Sequence, residues 1–162
     1  MKLIITIATL LISMSSMGQS LPYKALLKLY YDSEFPVIHP YQQEILEKAT
    51  ILDSREQEEY EVSHLKGAKW IGFDDFSMDN LSGIPKNKPI VIYCSVGVRS
   101  QKIGIQLKEA GFQEVYNLYG GIFHWVNEGN AVYRAGIKTT KVHAFSPVWG
   151  IWLKKGDKVY SP

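Results

Sequence analysis

Short apolar runs alternate with helix-forming segments through the middle of the chain. The runs at residues 49–53, 89–93 and 112–118 are typical of buried strands, and each is followed by a predicted helix. Strands that alternate with helices predict an α/β fold, with a central, mostly parallel sheet covered by helices on both faces. Catalytic groups in such sheets lie at the carboxyl ends of the strands. Asp53 and Cys94, at the ends of the first two runs, are therefore expected at the same sheet edge.

The remaining segments add helices and one weak strand to this pattern. Pro36 has no N–H group to donate, so the run at residues 35–38 is predicted to be a short edge strand. Gly111 and Gly129 supply stop signals for the helices that follow the second and third strands. Helices are predicted at residues 21–31, 41–48, 55–60, 100–110 and 122–128, and a loop with a helical turn at residues 73–84.

The N-terminus has the layout of an export signal. Lys2 precedes an apolar run at residues 3–12, and among the small residues that follow, Ser16 and Gly18 fit the usual pattern before a cleavage site. The run is too short to span a bilayer comfortably. We therefore expect residues 1–18 to be a signal peptide, and the mature protein to be periplasmic or secreted and not membrane-spanning.

The chain length predicts one domain with flanking segments. Its 162 residues are too few for two domains of ordinary size. After the signal, we expect an N-terminal helical segment at 19–35, the α/β domain at 36–130, and a C-terminal extension at 131–162. The extension is aromatic and too short to be a separate domain. Its tryptophans, Trp149 and Trp152, are expected to pack on the domain, and a partner-binding surface is the alternative.

Composition excludes some classes of function. The net charge is +2 and the basic residues are scattered, so nothing indicates a nucleic-acid-binding protein. His39, His124 and His143 show no ligand spacing with one another, so no metal site is predicted. Cys94 is the only cysteine, which rules out an internal disulfide. Its thiol is then either inert through burial or kept for chemistry.

The position of Cys94 favours chemistry. The residue follows a buried strand and precedes Gly97, Arg99 and a helix predicted to begin at Ser100. A thiol at a helix N-terminus meets backbone N–H groups that favour negative charge, and the thiolate is the reactive species. Arg99 adds a permanent cation that can face the same pocket. The alternative is a free cysteine that acts as a small buried hydrophobe.

Three segments together resemble the rhodanese family of sulfurtransferases. They lie in the family's order and spacing within about residues 36–130. The first is similar to the N-terminal signature, with an Asp-x-Arg, then Glu-Tyr, then His-hydrophobic-x-Gly-Ala; the second is similar to the active loop, and the third to the closing motif. In this chain they are Asp53–Ala68, Cys94–Ser100 and Val115–Trp125.

The resemblance implies a small α/β domain and a persulfide mechanism. Cys94 would take a sulfane sulfur from thiosulfate, a polysulfide or a persulfide and pass it to a thiol or cyanide, without a metal or organic cofactor. Backbone N–H groups of the loop would surround the terminal sulfur, with Gly97 permitting the tight curl. The loop comprises Ser95, Val96, Gly97, Val98, Arg99 and Ser100. Asp53 and Arg55 are expected to brace each other and the loop. Structural roles are expected for His64, Gly67, Gly120, Gly121 and Trp125.

One departure from the family bears on the substrate. Members that use thiosulfate efficiently carry cationic residues beside the cysteine, where this chain has Ser95 and Val96. Glu59 adds a negative charge nearby. We therefore expect modest thiosulfate turnover, with a polysulfide, a persulfide or a protein thiol, including one on an exported partner, as the better partner.

Two other functions remain open from the sequence. Cysteine-dependent phosphatases and arsenate reductases have a similar loop, but with five residues between cysteine and arginine. Here Cys94 and Arg99 have four residues between them, a ring that suits a single sulfur atom and is tight for phosphate. The second alternative is a non-enzymatic binding or sulfur-relay module, which the aromatic stretch at 142–153 would support.

Overall fold

A five-stranded parallel sheet forms the centre of the molecule. The computed structural model describes residues 20–161, so the predicted signal peptide lies outside the described residues. The sheet order is β1-β5-β4-β2-β3, and all its paired strands are parallel. Its strands are β1 Val37–Ile38, β2 Thr50–Asp53, β3 Lys69–Trp70, β4 Ile90–Tyr93 and β5 Val115–Leu118. The helices are α1 Leu21–Tyr30, α2 Gln43–Lys48, α3 Gln57–Val62, α4 Val98–Glu109, α5 Gly121–Asn127 and α6 Pro147–Gly150, with a 3-10 helix at Met78–Leu81.

The central strand β4 explains the two-layered core. All four of its side chains are buried, and they alternate between the two faces of the sheet. Ile90 and Ile92 join the cluster that α4 covers, whereas Val91 and Tyr93 join the cluster beneath α1, α2 and α5. An uninterrupted apolar strand is therefore stable here because both of its faces are covered. The predicted α/β fold with helices on both faces of a parallel sheet is confirmed.

The predicted edge strand is confirmed, and several predicted boundaries are wrong. β1 lies at the sheet edge beside β5. Helix α4 begins at Val98 rather than at Ser100. The third run contributes strand only from Val115, since Phe112 donates its N–H to the carbonyl of Leu107 and so closes α4.

The C-terminal segment folds back over the domain. It forms a hairpin of β6 Val132–Arg134 and β7 Ile137–Thr139, then a parallel pair of β8 Lys141–His143 and β9 Asp157–Val159 around α6. Val142, Ala144 and Leu153 are buried in the same cluster as α1 and α5. The Trp152 ring stacks on Tyr23 of α1 with 5.2 Å between ring centroids. Among residues 20–161, no helix combines the length and apolar character needed to cross a bilayer.

Candidate active site

Cys94 lies at the carboxyl edge of the sheet, directly after β4. Asp53, the last residue of β2, pairs in register with Tyr93, so the two strands end side by side as expected. The loop of residues 94–97 then leads into α4, and the Cys94 side chain is almost fully buried.

The loop is curled because each of its four carbonyl groups accepts a hydrogen bond from a donor outside the loop. The Cys94 and Ser95 carbonyls accept hydrogen bonds from the N–H groups of Ile122 (2.9 Å) and Phe123 (3.1 Å) at the start of α5. The Val96 carbonyl accepts from the Tyr31 hydroxyl (2.7 Å), and the Gly97 carbonyl accepts from the Asn117 side chain (2.9 Å). With four successive carbonyls turned outward, the inner side of the curl is left to N–H groups.

The sulfur of Cys94 occupies the inner side of this curl. The Gly97 N–H group lies 3.1 Å from Sγ and donates to it. Val98 opens the twelve-residue helix α4, and the first N–H groups of a helix have no acceptor within the helix. The helix dipole also favours negative charge at this end. The arrangement can therefore hold an anionic sulfur with backbone dipoles alone.

Two glycines make the curl sterically possible. Gly97 has φ 98°, a left-handed conformation, and a Cβ there would lie 1.8 Å from the Tyr31 hydroxyl. Gly121 has φ 58°, and a Cβ there would lie 2.3 Å from the Cys94 carbonyl oxygen. Any other residue at Gly121 would push α5 away from the loop, and the α5 N–H groups would lose their carbonyl acceptors.

Arg99 is neutralised by a carboxylate. Its guanidinium donates to both oxygens of Glu59, at 2.7 and 2.9 Å, and also to the Ser95 hydroxyl at 3.0 Å. Burial acts to raise the pKa of Glu59, but hydrogen bonds and charge from Arg99 hold it below its ordinary value. Burial likewise acts to lower the pKa of Arg99, and its bonds to Glu59 raise it overall. The expected nearby charge of Glu59 is thus bonded directly to the loop.

A small pocket lies beside Cys94. Its volume is about 180 Å³, and part of its lining comes from the C-terminal segment. The lining residues are Cys94, Ser95, Val96, Val98, Arg99, Phe145 and Trp149. Among residues 20–161, no cluster of three or more histidine, cysteine or acidic side chains is placed to hold a metal ion.

Comparison with known proteins agrees with this geometry. The family model described as a rhodanese-like domain matches residues 40–128, more than half of the chain. The chain belongs to the rhodanese-like domain family. It is 36% identical over 75 residues to the thiosulfate sulfurtransferase GlpE of Coxiella burnetii, covering 46% of this chain and 69% of that protein.

Two further relatives set the extent of the similarity. A Mycobacterium tuberculosis protein named a probable adenylyltransferase/sulfurtransferase, MoeZ, is 33% identical over 82 residues, half of this chain and 21% of that protein. This chain therefore spans about a fifth of the length of that relative. A solved rhodanese-like domain protein from Staphylococcus aureus superimposes with a TM-score of 0.52 at 30% identity, over 62% of this chain and 98% of its own.

In this rhodanese-like domain, Asp53 and Arg55 form a buried pair beside the loop. Arg55 Nη2 donates to Asp53 Oδ2 at 2.7 Å and to the Ser63 carbonyl at 2.6 Å. Asp53 also accepts from the Tyr93 hydroxyl, which in turn accepts from the Leu65 N–H group. Burial and the charge of Asp53 raise the pKa of Tyr93. The pair braces itself as expected, but within residues 20–161 its hydrogen bonds reach the loop only through Tyr93, the residue before Cys94.

The other signature residues of the rhodanese-like domain have structural contacts. His64 Nδ1 lies 3.1 Å from the Tyr60 carbonyl, and its ring stacks on Tyr60. Gly67 and Gly120 have positive φ at turns. Trp125, for which a structural role was expected, is half-buried and packs against the core. Its indole N–H donates to the Ala131 carbonyl at 2.9 Å.

The sequence interpretation missed two residues that shape the loop. Asn117 in β5 bonds both the Gly97 carbonyl and the Ser100 hydroxyl, and a buried amide in an apolar strand is a signal that was available. Tyr31 follows α1, far away in sequence, and its hydroxyl joins the Val96 carbonyl to the Gly120 N–H group. No local pattern around Tyr31 indicates that contact.

Proposed function

We propose that this protein is a sulfurtransferase that carries sulfur as a persulfide on Cys94. The observation that carries the proposal is the curled loop, in which four outward carbonyls leave the Gly97 N–H group pointing at Sγ at 3.1 Å. Preorganised N–H dipoles of this kind stabilise negative charge where it develops. Membership of the rhodanese-like domain family supports the same chemistry.

The proposed transfer has two balanced steps. The Cys94 thiolate attacks the sulfane sulfur of a donor, a bond forms between the two sulfurs, and the donor's leaving group departs with the electron pair. That group is sulfite from thiosulfate, or a thiolate from a persulfide. Cyanide or an acceptor thiolate then attacks the terminal sulfur of the Cys94 persulfide, and the Cys94 thiolate leaves. Loop N–H groups from Ser95 to Ser100 hold the anionic terminal sulfur between the steps.

The charge state of Arg99 supports a limited role for thiosulfate. Thiosulfate is a hydrated dianion that needs cations to offset its desolvation. Arg99 is the cation that lines the pocket, and both of its Nη groups donate to Glu59. We therefore propose that thiosulfate is turned over modestly and that donors with less charge per sulfur are preferred.

Intact-mass measurement tests the proposed chemistry and its site together. Purified protein incubated with thiosulfate or polysulfide should gain the mass of one sulfur atom, and cyanide should remove it with release of thiocyanate. Cys94→Ser should gain nothing while keeping the circular dichroism spectrum of the wild type. Wild-type protein that is folded and reduced but gains no sulfur from either donor would contradict the proposal. Hydrolysis of an aryl phosphate without sulfur transfer would favour the phosphatase alternative instead.

A further inference from the structure

We propose that Phe145 and Trp149 form a specificity subsite for an apolar group attached to the donor's sulfur. The favoured donors would be organic thiosulfonates and organic persulfides, in which a carbon group adjoins the sulfur that bears the sulfane sulfur. This inference rests on the proposed function, because it names the donor class for the Cys94 reaction. It assigns a role to a segment beyond residues 40–128, the part of the chain that the family comparison matches.

The size and chemistry of the pocket suit a small apolar group. Val96 and Val98 line it from the loop side, and Phe145 and Trp149 line it from the C-terminal segment. Its volume is about 180 Å³. An apolar protein cavity of about 150 Å³ can accept a benzene molecule. A phenyl or short alkyl group therefore fits beside a sulfur held at Cys94.

The charges around the pocket disfavour a second anionic group. The guanidinium of Arg99 is bonded edge-on to Glu59, and its carbon lies 4.9 Å from the centroid of the Phe145 ring. The same cation thus donates to a carboxylate and lies over an aromatic ring. A trioxide group of thiosulfate entering this pocket would lose water without a free cation, whereas a carbon group would gain burial.

Phe145 is held in an unfavourable backbone conformation over the pocket. Its φ is 64°, in the left-handed region, which costs a non-glycine residue about 1–3 kcal/mol. Its N–H group donates to Nδ1 of the buried His143 at 3.2 Å, and the Ser146 N–H group donates to the Ala144 carbonyl at 2.7 Å. The side chain remains 45% exposed, so burial does not compensate for this conformation. The surrounding hydrogen bonds impose the conformation and aim the ring at the pocket.

Trp149 is positioned by contacts with the domain. Ser146 caps α6, its hydroxyl accepting from the Trp149 N–H group. The Trp149 ring meets Tyr30 of α1 edge to face, with 6.1 Å between centroids. Both aromatic walls are therefore fixed before a donor arrives, which reduces the entropy lost on binding.

The reaction with a thiosulfonate balances without a further reagent. The Cys94 thiolate attacks the sulfane sulfur of R–SO₂–S⁻, the sulfur–sulfur bond of the donor breaks, and the sulfinate R–SO₂⁻ leaves with the electron pair. The Cys94 persulfide remains as an anion, so the total charge is conserved. The R group stays on the leaving group, and the subsite would therefore also bind the sulfinate product.

Donor kinetics in the full chain test the subsite. We expect wild-type kcat/KM, with cyanide as acceptor, to increase from thiosulfate to methanethiosulfonate to benzenethiosulfonate, by about tenfold or more over the series. In Phe145→Ala and Trp149→Ala, the ratio of kcat/KM for benzenethiosulfonate to that for thiosulfate should fall by about tenfold. Val148→Ala is the matched control, since Val148 lies on the same helix, is 73% exposed and does not line the pocket.

The outcomes separate this inference from the proposed function. Equal wild-type kcat/KM for the three donors would overturn the subsite and leave sulfur transfer intact, as would an unchanged donor ratio in both variants. A wild-type protein that accepts sulfur from none of the donors would overturn the proposed function itself. If an alanine variant does not fold, two measurements still test the subsite, because both proteins keep an aromatic side chain at position 149. These are the wild-type donor series and the donor ratio of kcat/KM in Trp149→Phe.

Discussion

Two arginine–carboxylate pairs lie near the same sheet edge, and they differ in what they hold. Asp53 and Arg55 are two residues apart in sequence, and both side chains are fully buried. Glu59 and Arg99 are forty residues apart, with side chains 3% and 17% exposed, and they join α3 to α4 across the loop. The first pair bonds to the frame at Tyr93 and Ser63, whereas the second bonds to Ser95 beside the cysteine.

The difference shows that a cation beside Cys94 is not necessarily available to a substrate. Arg99 lines the pocket, but both of its Nη groups donate hydrogen bonds to the Glu59 carboxylate. A buried ion pair gives up much of its attraction to desolvation, so neither pair is a simple source of stability. Each is costly to break, however, because the remaining charge stays buried. Breaking the two pairs separately should distinguish the structural pair, Asp53 and Arg55, from the pair that sets the charge of the site, Glu59 and Arg99.

The largest expected effect is on folding. Arg55→Met leaves the fully buried Asp53 carboxylate without its cation and should lower the free energy of unfolding by about 3–5 kcal/mol. Arg99→Met, the same substitution in the other pair, should cost about 2 kcal/mol, since Glu59 keeps the Ser95 hydroxyl and the Glu56 N–H group as donors. Urea unfolding followed by circular dichroism measures both. Equal losses in the two variants would contradict the distinction between the pairs.

The next effect is on donor choice. Glu59→Gln removes the charge that occupies Arg99 and should raise kcat/KM for thiosulfate by about fivefold, equivalent to about 1 kcal/mol. The assay is thiocyanate formation with cyanide as acceptor. Glu56→Gln serves as the control, because its carboxylate is 3.7 Å from Arg99 and more exposed. If Glu59→Gln lowers thiosulfate use, Arg99 is not restrained by Glu59 as we infer.

The smallest effect is the acid response of the second pair. The pKa of Glu59 lies below its ordinary value, since hydrogen bonds and charge from Arg99 outweigh the opposing effect of burial. A carboxyl group of this kind contributes stability above its ordinary pKa, about 4.3, and loses the contribution as pH falls through the lower folded value. The stability difference between wild type and Glu59→Gln should therefore shrink as the pH falls from 6 towards and below the ordinary pKa of a glutamate.

Comparing the two proteins removes a background effect from that measurement. Burial lowers the pKa of His124 to about 4, with His39 and Lys24 adding to the shift, while the Glu128 carboxylate lies 3.6 Å from its Nδ1. When the pKa of a histidine is lowered by folding, the protein loses stability as the pH falls below the ordinary pKa of histidine. Both proteins contain His124, so its contribution cancels in the difference. If the stability difference between wild type and Glu59→Gln stays constant with pH, the ion pair of Glu59 with Arg99 does not lower the pKa of Glu59 as expected.

The sequence predicted the parts of this molecule that depend on local patterns. The apolar β4 and the proline of the edge strand each predicted the correct element, and the segment after Cys94 predicted a helix there, although with a start two residues too late. Phe112 was wrongly assigned to a strand, because an apolar residue after a glycine fits either a strand start or a helix cap, and only the bond to Leu107 decides. Local patterns could not predict that Phe145 and Trp149 line the same pocket as Cys94, since that arrangement depends on tertiary packing.

Tyr31 gives the domain a boundary that differs from its family outline. The hydroxyl that ties the Val96 carbonyl to the Gly120 N–H group belongs to a residue nine positions before the matched region begins. If residues 40–128 alone were grafted into another protein, they would include the loop that carries Cys94. They would lack the Tyr31 hydroxyl, which is one of the groups that hold this loop in place. Transplantation should therefore include the chain from α1 onward.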